Sequence, residues 1–124
     1  MAGKIIADQI EHSTAGSLDT SYVVNGSAKY WVTFSTLTVV QVHDSLNHSS
    51  FTDVSTGHAN ISFVNSFNNT NYSGSGMSVQ TANVCWRNYS SEYLTGSNVV
   101  ITQDHNANGN DGDKIGVHLM GDLA

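Results

Sequence analysis

Apolar residues along this chain come in short stretches that alternate with polar ones. Clusters of Gly, Asn, Asp and Ser interrupt them about every 8–12 residues. Val, Ile, Thr, Tyr, Phe and Trp dominate the ordered-looking stretches, which is strand composition. The alternation is plainest where Ala28, Tyr30, Val32 and Phe34 interleave with Lys29, Trp31 and Thr33. Period two puts the first set on a core-facing stripe and Trp31 on the opposite face. Further strands are predicted over 37–42, 51–54, 60–64, 72–80, 84–89, 98–103 and 114–121, with a turn at 55–58. Phe51, Ile61 and Phe63 are the expected inward residues of the central pair. Gly74 and Gly76 hint at a bulge or a close backbone approach, and 66–71 reads as a polar loop.

Two local signals refine this picture. Asn25-Gly26 lies between β-prone runs and predicts a two-residue type I′ hairpin, whose central residues both need φ > 0. Near the N-terminus, Ile6 and Ile10 are four apart beside Ile5, which permits one or two helical turns or an extended apolar stripe. Residues 13–20 have no large side chain but Leu18 and read as an extended connector. The expectation is an all-β protein: an antiparallel, jelly-roll-like β-sandwich over 21–124, preceded by a short helical or extended segment over 1–20.

Composition narrows the function. Ser (17), Thr (11) and Asn (13) fill 41 of 124 positions, and charged residues only 11%. An average domain has roughly 25%. The surface is polar with little charge. Positive charge rests on Lys4, Lys29, Arg87 and Lys114 alone, spread along the chain. A duplex binder makes about 6–10 phosphate contacts, so no nucleic-acid partner is expected. No apolar run nears the roughly 18 residues that span a bilayer, so no membrane insertion is expected. Met1 to Ile10 does not read as a secretory signal. Cys85 is the single cysteine, so disulfide and thiolate-cage chemistry are out of reach within one chain.

The sharpest polar cluster runs from Asp104 to Asp113. Asp104, Asn106, Asn108 and Gly109 match the first half of an EF-hand-type loop, with Asp111 or Asp113 as further oxygen donors for a weakly held Ca²⁺. The match fails at the twelfth position, where Ile115 replaces the bidentate Glu. A solvated hairpin loop rich in Asn, Asp and Gly explains the same residues, and no obligatory cofactor is expected. His43-Asp44-Ser45 holds three hydrolase residue types, but strand neighbours face opposite ways and a triad is defined by geometry. No G-x-S-x-G motif is present, so a non-enzyme is expected. Trp31, Tyr72, Trp86, Tyr89 and Tyr93 fit either a sugar-stacking platform or core and subunit contacts.

These residues carry a resemblance. Val23-Val24-Asn25-Gly26-Ser27-Ala28-Lys29, followed by Trp31-Val32 and Phe34, resembles a motif of small tail-fibre-like virion proteins of tailed phages that infect marine bacteria, cyanophages among them. Ile6-Ala7-Asp8-Gln9-Ile10, His12 to Ser17, Leu18-Asp19-Thr20, Asn71-Tyr72 and Gly121-Asp122-Leu123-Ala124 extend the likeness. It implies a virion structural protein, a tail-fibre or receptor-binding module forming a homotrimer. Its expected partners are other virion proteins and a host surface glycan or receptor. A capsid decoration or head-fibre protein is the alternative, and a carbohydrate-binding or hydrolytic module a more distant one. Ile5, Ile6, Ile10 and Trp31 are the expected oligomerisation and attachment residues. Loops 44–50, 66–71 and 104–113 are the expected host-facing surface.

Overall fold

A computed structural model describes residues 3, 6–14, 16–79, 83–85 and 92–124, with only the backbone for His12 and 83–85. The predicted core stripe forms β3 (Tyr30–Ser35), which lies at the centre of a four-stranded antiparallel sheet. Its neighbours are β4 (Gln41–Leu46) and β10 (Lys114–Met120), and β10 also pairs with β7 (Ser73–Val79). The second sheet runs β5 (His48–Ser55), β6 (His58–Phe63), β9 (Ser97–Gln103) and β8 (Asn83–Cys85). All the ladders are antiparallel. The two sheets pack as an all-β sandwich.

The core is the set of inward residues that the alternation places. Tyr30, Val32 and Phe34 from β3 meet Ile115, Val117 and Leu119 from β10. Ala59, Ile61 and Phe63 from β6 and Val100 from β9 close it from the other sheet. Phe51 packs at its margin, with ring centroids 4.6 Å from Phe34. On β7 the residues opposite this stripe are Gly74, Gly76 and Ser78. Their small size narrows that side of the sandwich, and the β7–β10 ladder runs on without a bulge. Register shifts lie instead between Thr33 and Phe34, against β4, and at two places in the β5–β6 ladder.

Three sequence expectations change. The Asn25-Gly26 hairpin is absent: Thr20–Gly26 form a short helix, α1. Neither residue has φ > 0. Both edges of β3 are taken by β4 and β10, so a strand over 22–24 would have no ladder to join there. Asp19 instead caps a helix, accepting from the Ser21 N–H at 2.8 Å. The Lys29 ammonium donates to the Val24 carbonyl at its other end. Secondly, the strand expected from residue 37 starts at Gln41. The Ser35 hydroxyl donates to the Val39 carbonyl, and Thr36 exchanges hydrogen bonds with Gly112, holding 36–40 as a loop. Thirdly, the N-terminal stretch takes the extended form. β1 (Gln9–His12) and β2 (Gly16–Asp19) form a hairpin that pairs Ile10 with Leu18.

The polar loop 66–71 hides an anchor, Phe67, 1% exposed. Its ring stacks on Tyr72 at 4.4 Å and meets Phe63 edge-on. Tyr72 stacks in turn on Tyr93, donates to the Leu94 carbonyl and accepts from the Asn98 amide. Burial, with Tyr93 beside it, pushes the Tyr72 phenol up to about 12.

Two outcomes follow from this packing. Phe67→Ala should lower unfolding free energy by about 3–5 kcal/mol in urea melts, whereas Asn68→Ala, beside it and exposed, should stay within about 0.5 kcal/mol. The second concerns His48, whose Nδ1 lies 2.9 Å from the Tyr30 hydroxyl. Burial holds its imidazole below the ordinary value of 6.5. The unfolded chain therefore binds the proton more readily, and the His48 contribution to stability is intact above pH 6.5 and lost as pH falls through the folded-state value. His48→Gln should flatten that part of the stability–pH profile.

Candidate functional site

The loop at 104–113 is built from its own hydrogen bonds. One Asp104 carboxylate oxygen accepts the backbone N–H groups of Asn106 and Asn108, at 2.8 and 2.9 Å. The other accepts the Asn108 side-chain amide at 3.2 Å. The Asp104 N–H donates to the Asn108 carbonyl, and Ala107 takes the left-handed conformation with φ 63°. These donors, chiefly Asn108, hold the Asp104 carboxyl below its ordinary range. Asp104, Asn106 and Asn108 thus come together as the spacing predicts. Both carboxylate oxygens of Asp104 accept N–H groups of the loop's own residues. Among the described residues, no group of three or more His, Cys, Asp or Glu side chains gathers to hold a metal.

The second half of this loop is clamped to the sandwich. Asp111 accepts from the Gly57 N–H at 2.8 Å, and the Thr102 hydroxyl donates to the Asn110 carbonyl at 2.6 Å. Gly57 has φ 73°, and a Cβ there would lie 2.4 Å from the Thr102 carbonyl oxygen. Only glycine fits that crossing. The loop therefore closes one end of the sandwich. The 66–71 loop lies at the other end, beside α1 and the β4–β5 corner at Asn47. The three loops expected to form one host-facing surface are split between opposite ends. Residues 44–50 are mostly strand, with Asn47 alone turning the chain from one sheet to the other at φ 59°.

Trp31 lies half-buried on the outer face of the first sheet. Its register row holds Leu46, Trp31, His118 and Ser75, with the Ser75 hydroxyl 2.8 Å from His118 Nε2. The next row holds Asp44, Thr33, Gly116 and Met77. Leu46 and Met77 are exposed at 48% and 72%. The absent side chain at Gly116 leaves the middle of this face low beside Trp31.

The N-terminal arm is the other apolar surface. Ile6 is 82% exposed, and Ile10, Leu18, Tyr22, Val23 and Val24 are all exposed. Neither β2 nor α1 has a buried residue. Ile5 lies outside the described residues, as do Trp86 and Tyr89. Tyr72 and Tyr93 are spent on the core stack, so they form no open platform. His43, Asp44 and Ser45 lie along the edge strand β4, with His43 at the bulge, and Asp44 accepts from the Ser45 N–H. What sequence reasoning missed is the helix α1, since the Asn-Gly signal masked the Asp19 cap.

No family model, no curated protein and no solved structure matches this chain.

The Asp104 bonds set a measurable behaviour. The amide resonances of Asn106 and Asn108 should titrate together as pH falls below 3.8, when the carboxylate gains its proton in the fold. The midpoint of that titration should lie below 3.8. Asp104→Ala should abolish the titration while leaving the Val100 amide unmoved, read by two-dimensional NMR.

Proposed function

We propose that this chain is a non-catalytic structural part of a phage virion, a tail-fibre or receptor-binding module that works as a homotrimer held by its N-terminal arm. The observation that carries this reading is the arm itself. A two-strand hairpin and a two-turn helix are each too small to be stable alone in water. Here the hairpin exposes Ile10 and Leu18, the helix exposes Tyr22, Val23 and Val24, and Ile6 before them is also exposed. Large exposed apolar side chains concentrated in one short segment support a contact surface there. Trp31, Leu46 and Met77 on the first sheet provide a second apolar face toward another subunit.

Other features support the same reading. The all-β sandwich is rigid, with its loops tied down by side-chain hydrogen bonds. Its surface is polar with few charges, so ion pairs contribute little and salt changes little. The resemblance to small tail-fibre-like virion proteins that the sequence carries, densest over residues 5–72, is in keeping with this reading. The partners in this reading are two further copies, a neighbouring virion protein and a host surface glycan or receptor, and the protein's place is the virion. Among the described residues no helix is long and apolar enough to cross a membrane.

Light scattering on the full chain at micromolar concentration should give about three times the 13.3 kDa chain mass. Ile10→Asp combined with Leu18→Asp should yield a 13.3 kDa species with unchanged far-ultraviolet circular dichroism. A monomeric parent protein would sink the proposal. Immunogold labelling of virions places the protein on the tail or, for a decoration role, on the capsid.

A further inference from the structure

We infer that a cleft where α1 meets the sandwich binds a neutral saccharide. The cleft has a volume of about 410 Å³, within the range of about 300–1,000 Å³ typical of ligand pockets. It lies between the end of α1, the 66–71 loop and the ends of β7 and β10. Asn25 lines one side and Asn69 and Asn71 the other, with Asp122 at the rim. Met120 and Gly121 form the floor. The floor is fixed by packing, since a Cβ on Gly121 would lie 2.6 Å from the Tyr72 Cβ.

The chemistry of the lining selects the ligand. A side-chain amide both donates and accepts, which matches a sugar hydroxyl, and a carboxylate adds a strong acceptor. Asn69 accepts the Asn71 N–H through its oxygen and so keeps its NH₂ group to donate. Met120 offers an apolar patch for a C–H face of a sugar ring. Anions are disfavoured, because Asp122 is the charged group in the lining. The nearest lysine in sequence to Asn25, Lys29, donates to Val24 and Ser27. A divalent cation would have one carboxylate, few for tight binding. The cleft is shallow and its lining has no aromatic ring, so the expected Kd is about 1–10 mM. The site is lined by residues of this chain, Asn25 and Gly26 of α1 among them. It rests on the proposed virion role only for its use, where it names the host ligand as a neutral glycan.

The experiment is an NMR titration of the ¹⁵N-labelled full chain with maltose, cellobiose, lactose and chitobiose, with glycerol and CaCl₂ as controls. At least one disaccharide should shift the Asn25 and Asn71 side-chain amides and the Gly121 backbone amide saturably. Asn71→Ala keeps the backbone N–H that Asn69 holds, and should weaken binding about 5-fold or more. The proposal is overturned by the absence of a saturable shift up to about 50 mM, by equal shifts in Asn71→Ala, or by glycerol or calcium producing the same pattern. A monomer that still binds the sugar would sink the trimer and leave this site intact.

Discussion

The structure depends on the pairing of β3 with β10. These two strands bring residues 30–35 and 114–120 together at the centre of one sheet, and between them supply six of the core side chains. With β4 on its other side, β3 has no free edge. Residues before Lys29 therefore have no edge of β3 to pair with, and they take their structure outside that sheet. They do so as a separate hairpin and a helix whose apolar residues have no core to enter. The same pairing carries the chain end at Met120-Gly121 against Tyr72 and Phe67, which builds the floor of the cleft. Arm and cleft are thus consequences of one ladder.

A surface built from Ser, Thr and Asn, with few charges, has a structural logic in this fold. Loops that leave a strand must satisfy backbone N–H and C=O groups, and short neutral side chains do this at close range. Asn47 pairs with both polar groups of the Asn65 backbone, at 2.7 and 3.0 Å, where the chain changes sheets. Thr36 accepts from the Gly112 N–H, buried from solvent, and Thr102 reaches the Asn110 carbonyl. Charged side chains would cost desolvation at buried Thr36 and Thr102 and at half-buried Asn47. The molecule has no proline and one cysteine, so the hydrogen bonds of these residues hold loops that other proteins fix with rings or disulfides.

How much of this was legible in the sequence depends on the range of the interaction. Alternation is local, and it placed Tyr30, Val32, Phe34, Ile61 and Phe63 on the core face where they lie. The turn at Gly57 was equally local. Asn25-Gly26 was misleading because a hairpin needs an open edge as well as a turn, and the edge is decided by β10, some 90 residues away in about the last tenth of the chain. Phe67 was hidden for a similar reason. One apolar residue among Ser and Asn carries no period, and its burial comes from Phe63 and Tyr72, which meet only in the folded state. For the site, the Asp104, Asn106 and Asn108 cluster was visible as a group, but the direction of its hydrogen bonds was not. Oxygen-rich spacing is common to a cation loop and to a turn that closes on its own N–H groups, and the hydrogen bonds of the turn are seen only in the fold.

The position of the cleft links the two proposals physically. Asn25 is carried by α1, while the 66–71 loop and the β10 end belong to the sandwich. α1 has no buried residue, so the sandwich alone holds it weakly. Subunits that cover the arm would fix α1 against the sandwich and so fix the spacing between Asn25 and Asn71. Ordering one wall of a site before the ligand arrives removes part of the entropy that binding otherwise costs. A trimer would also present three copies of a millimolar site to one surface, and linked sites gain in avidity without any new contact. Weak single-site binding is then no obstacle to firm attachment at a glycan-covered cell surface, provided the arm is covered.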